Sequence, residues 1–493
     1  MKTQFLKLTT LLVILGVLLS ACAQPTQAPS APAAEPTAAA APVAEATKAP
    51  ETAPTQPPPT ATQAPTPVPS AADLDPATYG LKPGKPYDGT KLKFLVCCPT
   101  AQQFYSLNQK SNEFTDMTGI SVEWGKTPFG SFLEEVVTET ATGGGNSDLM
   151  AWVDNWGYGL QQYITPLDDF IKEANIDLAD YPEAYLAPGR NKDGQQFGLP
   201  LRGHAYTLFY RKDVFDKLGL KVPTTFAELE EAAKVIEAQT DLRGIAPVYG
   251  INAGQNLFMW FSLLWANGGD LFDENYKPIF NNEAGVQALQ RYVDWLQKLN
   301  IAPEASRTFN EQDALNEVVQ GRAAMFIGWS WMYSNLINPK TVAPEALGNV
   351  AFAEVPGWEG KGKPATYGYI WLMGISQFSK NPDAAKEYLK WLASAHTDKR
   401  VVLDKSDPKV SNVVTTHYSV MRDPEVNKVN DNLHENMAKV LENARNQPLV
   451  AEWPQIQSIL EIAVNDAANG KPVQETLDKA AAEVGNVLKA AGY

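Results

Sequence analysis

The feature that most constrains this chain is a break in composition near residue 86. From Ala23 to about Lys85 the sequence is built mainly from Ala, Pro, Thr and Gln, with almost no large apolar side chain. Such a stretch cannot bury enough surface to offset the conformational entropy lost on ordering, so residues 22–86 are expected to act as a disordered tether. Pro-rich linkers favour an extended backbone of ~3.1 Å per residue, which allows a reach on the order of 100 Å. All twelve tryptophans follow this segment. Residues 87–493 therefore carry the fold, and they suffice for two lobes with substantial cores.

Ahead of the tether, Lys2 and Lys7 precede an apolar run from Leu11 to Leu19 that leads into Ser20-Ala21-Cys22. A basic start, a short apolar stretch and small residues before a cysteine make a lipoprotein signal peptide over residues 1–21, because the run is too short to span a bilayer. In proteins with this pattern the new N-terminal cysteine is acylated, so Cys22 is expected to tie the mature chain to the bacterial cell membrane on the extracytoplasmic side, at the cell surface or in the periplasm. The sequence holds 41 Lys and Arg against 56 Asp and Glu. Removing Lys2 and Lys7 with the leader leaves 39 against 56, a net −17. An acidic surface of that size repels phosphate backbones and excludes nucleic acid as a partner.

Two further cysteines, Cys97 and Cys98, are adjacent, which supplies no disulfide framework. They are expected to pack as reduced, small apolar groups, with their backbone at the rim of a cleft.

Strand and helix patterns alternate after the break, which implies an α/β fold with largely parallel sheets. Leu92, Phe94 and Val96 alternate as a strand, Phe104 to Phe114 reads as a helix, and Ile120 to Trp124 as a second strand. Thr225 and Glu228 have capping-box spacing ahead of Leu229, Ala232, Ala233 and Ile236 on one helical face. Val286, Leu289, Val293 and Leu296 repeat that face, and Asn381-Pro382 opens a further helix. Trp295 and Trp391 lie on such helices and are expected in the core.

The order of several phrases resembles the family 1 extracellular solute-binding proteins, which include maltodextrin-binding proteins. These are Phe197-Gly198-Leu199-Pro200 followed by Tyr210-Arg211-Lys212-Asp213, Pro223-Thr224-Thr225-Phe226, Ala266-Asn267-Gly268-Gly269-Asp270, and Gly321-Arg322-Ala323-Ala324-Met325. Arg211 stands where that family usually has Asn. The resemblance implies a two-lobed periplasmic-binding-protein-like fold with several hinge crossings and a ligand cleft between the lobes. Lobe one would hold about 88–203 and 366–418, and lobe two about 205–362 and 419–493. It also implies a monomer that captures a carbohydrate and delivers it to the permease subunits of an ABC importer, with no cofactor and no catalysis.

Enzymatic motifs fail on inspection. Gly357 to Lys363 has phosphate-loop spacing, but Pro364 replaces the Ser or Thr that would reach magnesium. His434-Glu435 begins like a zinc-protease helix, yet Ala438 occupies the second histidine position, and no metal constellation remains. Acid pairs such as Asp168-Asp169 point apart on a helix and do not flank one glycosidic bond.

Aromatic residues near strand ends suit the apolar faces of a sugar, and an acid nearby can accept hydroxyl hydrogen bonds. On these grounds, and by transfer from the resembled family, the expected ligand contacts are Asp154, Trp156, His204, Trp260, Trp329, Trp331, Tyr367, Trp371 and Trp453. Asp154 is the leading polar contact, Trp331 the leading stacking face, and His204, where maltodextrin binders carry an acid, sits at a lobe crossing. Competing readings are capture of a polyamine, another polyol or a glycerol-phosphate ester, and a surface glycoside hydrolase.

Overall fold

The computed structural model describes residues 69–98, 102–141, 146–361, 364–404, 414–429 and 431–493. The signal peptide, Cys22 and residues 23–68 lie outside the described residues. Among the described residues the strands are β1 (Lys91–Leu95), β2 (Ser121–Trp124), β3 (Leu149–Val153), β4 (Leu199–Arg211), β5 (Arg243–Ile245), β6 (Ala323–Trp329), β7 (Val350–Ala353), β8 (Thr366–Ile375) and β9 (Ala444–Arg445). They join in the order β2-β1-β3-β8-β4-β6-β5, with β7 beside β4 and β9 beside β8.

Two long strands hold the halves of this sheet together. β4 pairs antiparallel with β8 from Leu199 to Ala205, then with β6 and β7 from Tyr206 to Arg211. The expected parallel pairs are present at β1–β2, β1–β3 and β5–β6. The sheet as a whole is mixed, because β4 carries the chain out of one half and β8 brings it back in the opposite direction. The fold is thus α/β and two-lobed, with β4 and β8 as crossings. β4 is buried along nearly its whole length, Arg202, His204 and Thr207 included, so both of its faces are covered.

The helices of eight or more residues are α1 (Gln102–Thr118), α2 (Phe129–Ala141), α3 (Phe226–Gln239), α4 (Leu257–Ala266), α5 (Glu283–Gln297), α6 (Glu311–Val319), α7 (Pro382–Leu392), α8 (Ala395–Val402), α9 (Leu433–Leu441), α10 (Trp453–Ala468) and α11 (Val473–Ala491). Their starts follow from local chemistry. Thr225 and Glu228 form the expected reciprocal cap on α3, Asn310 and Asp313 do the same for α6, and Pro382 opens α7. The apolar stripe of α3 faces inward through Leu229, Ala232, Ala233 and Ile236, all buried, and Trp295 and Trp391 are core residues. α9 packs on β4 and β8, whereas α10 packs on α5, α4 and α11.

The folded body starts earlier than the composition break. Tyr79 and Leu81 are buried, Asp73 pairs with both His396 and Arg400 on α8, and the backbone N–H of Lys82 donates to Glu387 on α7. The expected tether boundary at residue 86 is corrected accordingly. Two large side chains and a few polar anchors are enough to dock a segment whose composition could not build a core of its own.

Candidate functional site

A cleft of about 240 Å³ lies where β1 and β6 end and where β4 and β8 cross. Its lining comes from both halves of the sheet. From one side come Cys97 and Cys98 just after β1, Gln103 on α1, Phe129 at the start of α2 and Trp371 on β8. From the other come Gln255, Phe258 on α4, Glu311 on α6, Trp329 ending β6 and Trp331 just beyond it. His204 and Tyr369 face each other across the β4–β8 pair and line the cleft too, as does Ala253.

The aromatic rings are fixed by one another. Trp329 packs edge-on against Tyr206 with centroids 4.3 Å apart, and against Phe258 at 4.9 Å. His204 stacks on Tyr369 at 6.0 Å, and Trp371 is held by Phe104 and Phe129. Interlocked rings of this kind present broad contact area at low entropic cost to a ligand.

The polar groups are few and buried. Glu311 is the first residue of α6; its carboxylate accepts from the Tyr206 hydroxyl at 2.9 Å, and its backbone N–H donates to Gln255 Oε1 at 3.0 Å. Burial pushes its pKa up to about 8, against the opposing hydrogen bonds from Tyr206 and Trp329. His204 Nε2 lies 2.8 Å from Gln103 Oε1, while its Nδ1 is buried with no partner. Burial, helped by the Arg202 guanidinium, pushes His204 down to about 3. At neutral pH the imidazole is uncharged and the carboxyl is largely protonated. Among the described residues no Lys or Arg lines the cleft.

Of the residues expected to contact ligand, the structure places His204, Trp329, Trp331 and Trp371 on the lining of this cleft. It places the others elsewhere. Asp154 is buried behind Tyr367, whose hydroxyl donates to its Oδ2 at 2.5 Å, so neither residue lines the cleft. Burial raises Asp154 to about 7 despite that bond and a second from the Asn155 N–H. Trp156 stacks on the outer side of the lining, against Phe129 at 5.9 Å. Trp260 and Trp453 are fully buried core residues, Trp260 on α4, which is apolar but for Ser262, against Phe280, and Trp453 at the start of α10 against Phe261. A tryptophan in sequence does not reveal whether its ring fills a core or faces a cavity.

Cys97 and Cys98 are not reduced packing groups, as expected from the sequence, but are joined to each other by a disulfide. Glu311, Gln255, Gln103, Phe129 and Phe258 were missed. Only Glu311 carried a signal, as an acid inside the Asn310–Asp313 capping box and followed by the apolar face of α6.

Two other cavities have similar volumes, about 270 Å³ near Tyr79 and His417 and about 320 Å³ between α10 and α11. Neither carries interlocked aromatic rings from two halves of the sheet. No group of three or more His, Cys, Asp or Glu among the described residues could hold a metal ion, and no described helix is long and apolar enough to cross a membrane.

Known proteins share this architecture. A probable amino-acid ABC transporter periplasmic-binding protein of Sinorhizobium fredii is 24% identical over 418 residues, covering 83% of this chain and 92% of that protein. The maltose-bound MalE3 of T. maritima superposes with a TM-score of 0.69 at 23% identity, covering 81% of this chain and all of that one. A solute-binding protein of Agrobacterium radiobacter K84 in complex with ribitol gives 0.68 at 26% identity, covering 82% of this chain and 100% of its own. The S. fredii and A. radiobacter relatives are binding proteins of ABC transporters. Residues 99–398, more than half of the sequence, match one family throughout. The chain belongs to the bacterial extracellular solute-binding proteins, and it serves outside the cytoplasm as the solute-binding component of an ABC importer.

Proposed function

We propose that the cleft captures a small, uncharged polyhydroxylated solute, a sugar or linear polyol, and presents it to the permease. The observation that carries this reading is the combination of aromatic faces with uncharged polar groups. A sugar or polyol offers C–H faces to Trp331, Trp329, Trp371 and Tyr369 and hydroxyls to Glu311, His204, Gln103 and Gln255, all of which line the cavity.

Charge separates this from the alternatives. A carboxylate or phosphate would enter a buried site with no cation to pair it, and a polyamine would meet a carboxyl that is largely protonated, each at a desolvation cost. The amino-acid name of the S. fredii relative favours a zwitterionic ligand, which the same argument disfavours here. Ribitol in the A. radiobacter neighbour suits the enclosed volume better than a long oligosaccharide. Calorimetry at pH 7 with ribitol, mannitol, maltose, amino acids, putrescine and glycerol 3-phosphate tests the reading. Binding of a polyol or sugar is expected, and tight binding of an amino acid alone would overturn it.

In this reading Asp154 positions Tyr367, and Trp156 backs Phe129, each supporting the lining from behind. The lobes are read as 88–203 with 366–418, and 205–362 with 419–493, amended so that α9, which packs on β4 and β8, moves with the first lobe. Closure about the β4 and β8 crossings would let one ligand touch both sides and so shift the open–closed balance. The lipid on Cys22 holds the chain at the membrane near its permease, and Cys22→Ser should release it into solution; continued membrane retention would sink the anchor.

A further inference from the structure

We propose that the Cys97–Cys98 disulfide is a ligand-contacting wall of the cleft, and that its oxidation state sets the affinity for the solute. The proposal rests on the cleft being the solute site.

Two adjacent cysteines bonded to each other close a small ring through one peptide unit, with Cα atoms 3.7 Å apart. The ring sits just after β1, at the end of a parallel strand, where ligand crevices of α/β sheets form. Both residues line the same cavity as Trp331, Trp371 and Glu311. Cys97 is fully buried, Cys98 is half-buried, and the Cys98 N–H donates to the Thr127 carbonyl at 3.2 Å. The Cys98 backbone has φ 57°, a left-handed conformation that costs a non-glycine residue energy and needs the surroundings to hold it. The covalent ring supplies that restraint.

The chemistry of this wall suits the proposed solute. A disulfide offers a polarisable apolar edge with no strong donor, so it takes the C–H side of a polyol while hydroxyls turn to Glu311, Gln255 and His204 across the cavity. Opening the ring would replace one rigid edge by two separately rotating thiols and free Cys98 to leave φ > 0. The preorganised surface would be lost along with the contact. An extracytoplasmic location favours the oxidised form. The step itself is thiol–disulfide exchange: a dithiol such as dithiothreitol gives two electrons and two protons, the Cys97–Cys98 S–S bond breaks to two thiols, and the dithiol closes to its own disulfide.

Two measurements on the mature full-length protein decide the matter. First, alkylation before and after dithiothreitol should find Cys97 and Cys98 blocked until reduced; free thiols in the untreated, air-purified protein would overturn the pairing. Second, the rate of reduction is followed with and without each solute of the calorimetric panel at saturation. A solute that binds should slow reduction roughly tenfold, and the reduced protein should bind it roughly tenfold more weakly. Cys97→Ala/Cys98→Ala should bind as weakly as the reduced form. Should that variant misfold, the rate measurement on the wild type stands alone. A solute that binds equally to both forms and leaves the reduction rate unchanged would overturn the proposal. Protection by an amino acid and not by a polyol would leave the disulfide wall standing and remove the polyol reading instead. A panel in which nothing binds would remove the cleft, and the wall with it.

Discussion

Asp398 and Glu311 are two carboxyls buried to nearly the same depth, 4% and 6% exposed, and they stand in opposite charge states. Asp398 lies at the start of α8 and is surrounded by donors: Arg202 Nη1 at 3.0 Å, the Thr415 hydroxyl at 2.6 Å, the Thr416 N–H at 2.8 Å and His417 Nδ1 at 3.0 Å. Burial works to raise its pKa, but His417, Arg202 and Thr415 together hold it well below the usual carboxylate range. Glu311 meets only neutral donors, from Tyr206 and Trp329, and burial wins. The comparison shows that depth alone does not decide ionisation. A buried acid with cationic partners becomes a permanent structural charge, and one without them becomes a neutral hydrogen-bonding group suited to an uncharged ligand.

The largest effect expected from breaking this contrast is on stability. Asp398→Asn leaves Arg202 buried without a counter-charge and should cost roughly 3–5 kcal/mol in urea unfolding, with solute affinity of the folded fraction unchanged. The pH dependence follows in sign. Because the folded pKa of Asp398 is depressed, its contribution is present above the ordinary carboxylate range and is lost as pH falls toward the lower folded value. A variant as stable as the wild type would show the cluster to be ornamental.

Next in size is the loss of binding without loss of stability. Trp331 is half-buried on the cleft lining, and Trp331→Ala should cost ~2 kcal/mol or more in affinity, roughly thirtyfold, by calorimetry. If unfolding shifts as much as binding does, Trp331 belongs with the core and not with the site.

Glu311→Gln sharpens the contrast by fixing the neutral state. The folded pKa of Glu311 is raised from 4.5 to about 8, so its stabilising contribution is full below pH 4.5 and is lost as pH rises through about 8. Its slope thus opposes that of Asp398. Wild-type stability should fall relative to Glu311→Gln between pH 5 and 9 in parallel urea titrations, while affinity at pH 6 stays near that of the wild type. Parallel stability curves for the two proteins would mean that Glu311 is ionised throughout.

The smallest effect is expected at Asp154, a third buried acid lying between the two cases. Asp154→Asn keeps an acceptor for the Tyr367 hydroxyl and removes nothing from the cleft lining, so affinity should fall by less than about 1 kcal/mol. A loss as large as that of Trp331→Ala would place its carboxyl in direct contact with the solute.

Local patterns were legible where one stretch of chain settles the outcome. The cap of α3, the apolar stripes of α3 and α7, and each element of the first β-α-β unit follow from the spacing of near neighbours in sequence. The phrases near Leu199, Phe226 and Ala323 were enough to indicate a two-lobed binding fold. The candidate site was legible only in part. His204, Trp329, Trp331 and Trp371 sit at strand ends or crossings and stood out, whereas Trp260 and Trp453 had the same signal and are core residues. Gln103, Gln255 and Glu311 reach the cleft from three helices or loops distant in sequence, and no periodicity links them.

The sequence alone determined that the fold begins after a Pro- and Ala-rich stretch, that it alternates strands and helices, and that its surface is acidic, because each depends on composition or on near neighbours. The tertiary structure decided the rest. It docked Tyr79 and Leu81, which composition had assigned to the tether, and it brought Cys97 and Cys98 beside Trp331 and Glu311. It also left Asp398 ionised and Glu311 neutral. Burial and electrostatics depend on which distant segments surround a group, and that is settled only when β4 and β8 cross and the two halves of the sheet meet.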